Sequence, residues 1–214
     1  YGQLQHIDTG GRARWVTHFV EPVLDIAADG AGGALVALQP RSSEPSVEIA
    51  RYVPDGADGA FALAWRVPCA ACTPSVQLAA DARRAFVTLS AQRRVAWLDL
   101  ATGETIGDVP APAAAAGLWP SDVAVTADGT VWTADAPSRA VQGWSAPTPT
   151  LAASWPAGFR SVPLRLAGGA DADGAALVAV QRADGGIDVH LADGNVLAGV
   201  DPHDGAAAQA GLPP

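Results

Sequence analysis

The chain has 214 residues, a formal net charge of −9 and 49% hydrophobic residues, enough apolar material to bury a sizeable core and so to exclude a disordered chain. Its 13 cationic residues are all arginine and cluster no further than Arg83-Arg84 and Arg93-Arg94, which excludes the basic stripe that a nucleic-acid partner requires. No run reaches the roughly 18 to 20 apolar residues of a membrane-spanning helix, and the most apolar stretch, 109–119, is broken by Pro110, Pro112 and Gly117.

In chain order, Leu4 to Ile7 and Arg14 to Phe19, joined through Asp8-Thr9-Gly10-Gly11, read as two strands of a hairpin. Four longer segments then share one order: an alternating apolar strand, an Asp-centred turn, and a strand of small and β-branched residues. They are Val23 to Leu38, Val76 to Leu89, Val123 to Ala134 and Leu164 to Val180. Their turn aspartates, Asp29, Asp81, Asp128 and Asp173, lie 52, 47 and 45 residues apart, the period of propeller blades built from four strands. Three of the four turns are Asp-Gly, which predicts type I′ hairpins with positive φ at both central residues.

Two further strands follow each pair. They are Val47 to Tyr52 with Phe61 to Val67, Val95 to Leu98 with Glu104 to Val109, Ala140 to Trp144 with Leu151 to Trp155, and Ile187 to Leu191 with Val196 to Val200. No segment carries a helix-period stripe, and the 17 prolines and 23 glycines fall mostly between strands. The expectation is an all-β chain, a single β-propeller region over 1–214. Its blades fall near 1–20 (partial), 21–68, 73–110, 120–156 and 162–201, with a tail at 202–214. The opening hairpin stands for the last two strands of a blade whose first two are missing, giving about four and a half four-stranded blades: an open arc or a fragment of a larger propeller, with a closed five-bladed ring as the alternative. The chain lacks methionine, so Tyr1 is read as the start of a processed chain or of a piece of something longer.

The copy at Ser75 to Val109 (SVQLAADARRAFVTLSAQRRVAWLDLATGETIGDV) resembles the YVTN-type β-propeller repeat of bacterial surface and periplasmic proteins, through its FVTL at Phe86 to Leu89 and DLATGE at Asp99 to Glu104. Pro120 to Ala134 resembles both that family and the related NHL repeat. The resemblance implies a substrate-neutral scaffold and carries no catalytic residues with it.

Cys69 and Cys72 form C-A-A-C between the second and third blades. Thr73 stands where a c-type haem site needs His. A zinc site would need two more ligands from His6, His18, His190 and His203, which are scattered. A redox-active pair would open a helix, whereas this one sits among prolines. A local disulfide that stiffens the loop in an oxidising compartment is the reading adopted. The acidic pairs Asp55/Asp58 and Asp171/Asp173 are read as turn formers, since the twelfth position counted from Asp171 is Arg182 rather than the bidentate Glu of a calcium loop. No G-x-S-x-G is present, and His190 reads as a half-buried strand residue. The inner strand ends, where six-bladed hydrolases hold a metal, carry Ala, Thr and Val. Of the seven tryptophans, Trp97, Trp132 and Trp144 belong to blade packing. Trp119 and Trp155, each before a proline, are the expected exposed pair and the candidate interaction surface.

These features favour a non-enzymatic scaffold or protein-interaction module, extracellular or periplasmic, with a protein partner and as part of a larger protein or assembly. No cofactor, metal, nucleic acid or transmembrane segment is expected. The rivals are a propeller housing for a periplasmic redox or hydrolytic enzyme whose cofactor ligands lie outside this chain, and a carbohydrate- or ligand-binding propeller.

Overall fold

The structure is a computed structural model that describes residues 2–7, 10–41, 46–55, 60–110, 119–145, 150–155 and 161–201. Asp8, Thr9, Asp58, His203 and the tail at 202–214 lie outside the described residues, as does the side chain of His6. Two strands, β1 (Gly2–Ile7) and β2 (Ala13–Phe19), pair as a two-stranded sheet. Four four-stranded sheets follow, each with its strands in sequence order. The first holds β3 (Val23–Ala28), β4 (Ala34–Leu38), β5 (Val47–Asp55) and β6 (Ala60–Cys69). The second holds β7 (Leu78–Ala80), β8 (Arg84–Leu89), β9 (Arg94–Asp99) and β10 (Thr105–Pro110). The third holds β11 (Asp122–Val125), β12 (Val131–Asp135), β13 (Ala140–Ser145) and β14 (Thr150–Trp155). The fourth holds β15 (Pro163–Ala170), β16 (Ala176–Arg182), β17 (Ile187–Leu191) and β18 (Val196–Val200). A single 3-10 turn at Ser90–Gln92 is the one helical element among the described residues.

All the pairings described are antiparallel meanders, which short turns can make without a crossover. The strands β8, β9, β12 and β13 are almost wholly buried, polar Thr88, Thr133, Asp135 and Gln142 included, because each face of a blade's centre is covered. The outer strands β10 and β14 are mostly exposed. The chain forms two compact units, 1–92 with 96–107 and 93–95 with 108–214. In the first, Leu35, Val47, Ile49, Val76, Val87 and Leu98 belong to one core. Leu4 and Phe19 of the hairpin pack on Val36, Leu38 and Tyr52. In the second, Trp132, Val141, Trp155, Val178 and Val180 form the core.

The strand boundaries follow the sequence reading to within a few residues, but the turn type does not. In the turn at 126–130, the Gly129 amide donates to the Thr126 carbonyl and the Thr126 amide to the Thr130 carbonyl. This is a three-residue loop, a type I turn closed by one left-handed residue. The same pattern recurs at 171–175, 182–186 and 191–195, with positive φ at Gly129, Gly174, Gly185 and Gly194 and at none of the preceding aspartates. A type I′ turn would force the aspartate into the left-handed region, where a side chain is disfavoured. The observed turn asks that only of glycine. The aspartate accepts backbone amides instead: Asp128 Oδ1 from Thr130, Asp184 Oδ1 from Gly186 and Asp193 Oδ1 from Asn195. Asp29 and Asp171 open their turns, each taking the amides two and four residues on.

Candidate functional site

The chemistry-bearing side chains concentrate where one blade meets the next, and two such junctions lie within the two units. In each, a carboxylate on the first strand of one blade accepts an amide from the first strand of the following blade. Asp25 Oδ2 takes the Leu78 amide at 2.7 Å and Asp122 Oδ2 takes the Leu166 amide at 2.6 Å. An innermost strand leaves alternate N–H groups pointing away from its own ladder, and a buried amide must find an acceptor. Gln77 turns its N–H and C=O towards Thr88, so Leu78 points its amide outward, where Asp25 meets it.

The outer strands supply a second link. Trp65 of β6 stacks on the turn between β9 and β10, where a Cβ at Gly103 would lie 2.9 Å from the indole, and its Nε1 donates to the Leu100 carbonyl at 2.9 Å. Trp155 of β14 repeats this on the turn between β17 and β18: a Cβ at Gly194 would lie 2.8 Å from its ring. One face of Trp155 meets Trp132, with centroids 4.5 Å apart, and it stacks on His190 at 4.9 Å. His190 Nδ1 lies 3.1 Å from the Gly194 carbonyl.

This geometry corrects the expected exposure of the candidate interaction surface. Trp155 is 8% exposed and Trp119 is fully buried. A proline after Trp155 marks the end of an outer strand, but the indole reaches across to the next blade. Trp119 and Pro120 lead directly into the strand ladder, since Ser121 already donates to the Ala134 carbonyl, so both are enclosed where the first strand of that blade begins. Trp97, Trp132 and Trp144 are buried, and His190 is more enclosed than expected at 6% exposure.

Cys69 and Cys72 are joined by a disulfide with Cα atoms 5.3 Å apart, and the Cys72 amide donates to the Cys69 carbonyl. Asp171 and Asp173 build a turn through the Asp171 carboxylate. Asp55 ends β5, and its proposed partner Asp58 is outside the described residues. Among the described residues, no three His, Cys, Asp or Glu side chains gather in a metal-binding group.

The charged groups are tied to one another and to the backbone. Asp29, wholly buried, pairs with Arg51 at 2.8 Å, and Arg51 also donates to the Leu100 carbonyl of the next blade. Arg66 binds Glu48 and, at 3.1 Å, Glu21; its hydrogen bond holds the Glu21 carboxyl below the usual range. Burial alone would raise Asp128, but hydrogen bonds from the Thr126 hydroxyl and from Thr130 outweigh it and lower its pKa. Arg182, 6% exposed, lies 3.1 Å from Asp184, 3.1 Å from Asp188 and 3.9 Å from Asp201. The Gly186 amide, with Arg182, lowers the Asp184 pKa.

The sequence reading missed the exposed apolar side chains of the last blade: Leu164, Ile187, Val196, Leu197 and Val200 are 43%, 42%, 61%, 52% and 55% exposed. Their strands were legible, but a strand's apolar residues look alike whether or not a neighbour covers them.

Comparisons with known proteins bear on the fold. No protein-family model and no curated protein matches the chain. Among solved structures, a Bacteroides caccae protein of unknown function aligns with a TM-score of 0.56 at 16% identity, over 95% of this chain and 70% of the other. BamB from Moraxella catarrhalis aligns at 0.49 and 16% identity, over 94% and 70%. Hydrazine synthase of Kuenenia stuttgartiensis aligns at 0.58 and 15% identity, over 86% of this chain but only 50% of its own. In all, 421 chains match, and a scaffold shared so widely fixes no function. What the likeness and the blade topology establish is the fold: an all-β chain with four four-stranded blades of a β-propeller.

Proposed function

We propose that this chain is a non-enzymatic propeller scaffold that makes protein contacts as part of a larger protein or assembly, in the periplasm or outside the cell. The observation that carries the reading is the apolar exposure of the last blade, where Ile187 and Val200 are cross-strand partners and Leu164, Val196 and Leu197 are also open. Exposed apolar side chains that face each other across a strand pair, as Ile187 and Val200 do, suit a contact surface, so we take the β17–β18 edge of this blade as the candidate interaction surface in place of the buried Trp119 and Trp155. The Cys69–Cys72 disulfide supports an oxidising compartment. The occupation of Asp25, Asp29, Asp122 and Arg182 in turns and blade junctions supports a scaffold role for the acidic and basic groups. We read 1–214 as one propeller region, and its Ser75 to Val109 copy as a YVTN-type repeat.

The test is the native mass and visible spectrum of the protein from its source, beside a Val196→Asp, Leu197→Asp, Val200→Asp variant. The reading expects the parent in a complex well above 21.6 kDa, without a chromophore, and the variant released from it. A parent that runs alone, a variant that stays bound, or a complex with a haem-like absorption would overturn it.

A further inference from the structure

We infer that the first unit carries a binding site for a neutral aliphatic ligand, in a cleft between its two blades. The cleft has a volume of about 320 Å³ and lies beside the disulfide turn, at the small end of the roughly 300 to 1,000 Å³ range of ligand sites. Ile49, Val67 and Pro68 form one side, Val87, Leu89 and Leu98 the other, and Cys69, Ala70 and Ala71 close an end. The lining contains no charged side chain and one hydroxyl, that of Thr105. A charged group placed there would lose its hydration without a charged partner, so the buried part of the ligand is uncharged.

The second unit shows why the space exists. Val67 pairs with Ile49, which pairs with Ala37, the next-to-last residue of β4. Trp155 pairs with Val141, which pairs with Ala134, the next-to-last residue of β12. Val67 and Trp155 therefore hold equivalent places. Leu98 and His190 also correspond, each directly preceding the residue that opens the turn between third and fourth strands, Asp99 or Leu191. One junction fills these two places with stacked rings, 4.9 Å apart. The other has Val67 and Leu98 in these places; its indole, Trp65, stands two residues earlier on β6 and rests on Gly103, and the space beside Val67, Leu98, Ala70, Ala71 and Ala96 stays open. The disulfide holds the Cys69 to Cys72 turn as a wall and keeps the space from closing by loop collapse.

Because the cleft lies in the first unit and the exposed apolar blade in the second, this inference does not depend on the scaffold reading. It is tested by titrating the full chain with decanol and following methyl resonances by NMR. Saturable shifts are expected at Ile49, Val67, Val87, Leu89 and Leu98. Val67→Trp, which copies the filled junction, should weaken binding by at least about tenfold. Ala71→Leu narrows the turn wall, should do the same, and serves if the tryptophan is not tolerated. Absence of saturable shifts at these methyls, or unchanged affinity in a folded variant of either kind, would overturn the inference.

Discussion

A single added methyl group tests the tryptophan-on-glycine junction. Gly194 has φ +91, and a Cβ there would lie 2.8 Å from the Trp155 ring; Gly174 has φ +83 but open space around the same point. Gly174→Ala therefore suffers only the left-handed strain, about 1–2 kcal/mol. Gly194→Ala suffers that strain and a clash of the kind that overpacking produces, about 1–3 kcal/mol more. In a protein of this size the extra term lowers Tm by about 2–4 °C per kcal/mol. Chemical denaturation of the two variants reads the difference directly, and Trp155→Leu should remove it in a double-mutant cycle. Equal losses for Gly174→Ala and Gly194→Ala would refute the stacking argument. Gly103→Ala, with φ +76 and Trp65 at 2.9 Å, should behave as Gly194→Ala does.

Other outcomes follow from the same geometry. Arg139 has φ +54 and is exposed, so Arg139→Gly should relieve backbone strain and raise stability by up to about 1 kcal/mol in urea unfolding. Replacing both cysteines by serine removes a four-residue closure, with an expected loss of about 2 kcal/mol on the chain-entropy account; unfolding with and without reductant should show the same loss in the parent only. Removing the partly exposed Arg66 by Arg66→Met should cost about 1 kcal/mol near neutral pH. Glu21 has its pKa lowered by Arg66 in the folded state, so that contribution is complete above the unfolded carboxylate pKa of about 4.3 and is lost as pH falls through the folded value. The gap between parent and variant should therefore close in acid, and a gap that widened would contradict the pairing.

The strand order was legible because alternation and turn chemistry repeat at blade spacing, and the strands from Val23 to Val200 fall where that pattern puts them. The turn type was not, because Asp-Gly suits both a type I′ turn and a type I turn closed by glycine. The hydrogen bonds of the Thr126 to Thr130 loop and the positive φ at Gly129 alone separate them. The fates of Trp119 and Trp155 were hidden for another reason: a following proline reports on the backbone, whereas burial of an indole depends on the next blade. The role of Asp25 and Asp122 had no local mark, since their acceptors serve amides 53 and 44 residues away. The cleft was invisible too, because it arises from what Val67 and Leu98 are not, and this emerges only when two blades are set in register.

Amide hydrogen exchange at Leu166 tests the junctions most directly. The account predicts slow exchange at Leu166 in the parent, because its amide donates to the Asp122 carboxylate. It predicts a rise of at least about tenfold in Asp122→Ala, as loss of a hydrogen bond to a charged group of about 1.5–3 kcal/mol implies, with Leu78, which donates to Asp25, unchanged. Exchange at Leu166 as fast as in the loops, or unaffected by Asp122→Ala, would contradict it.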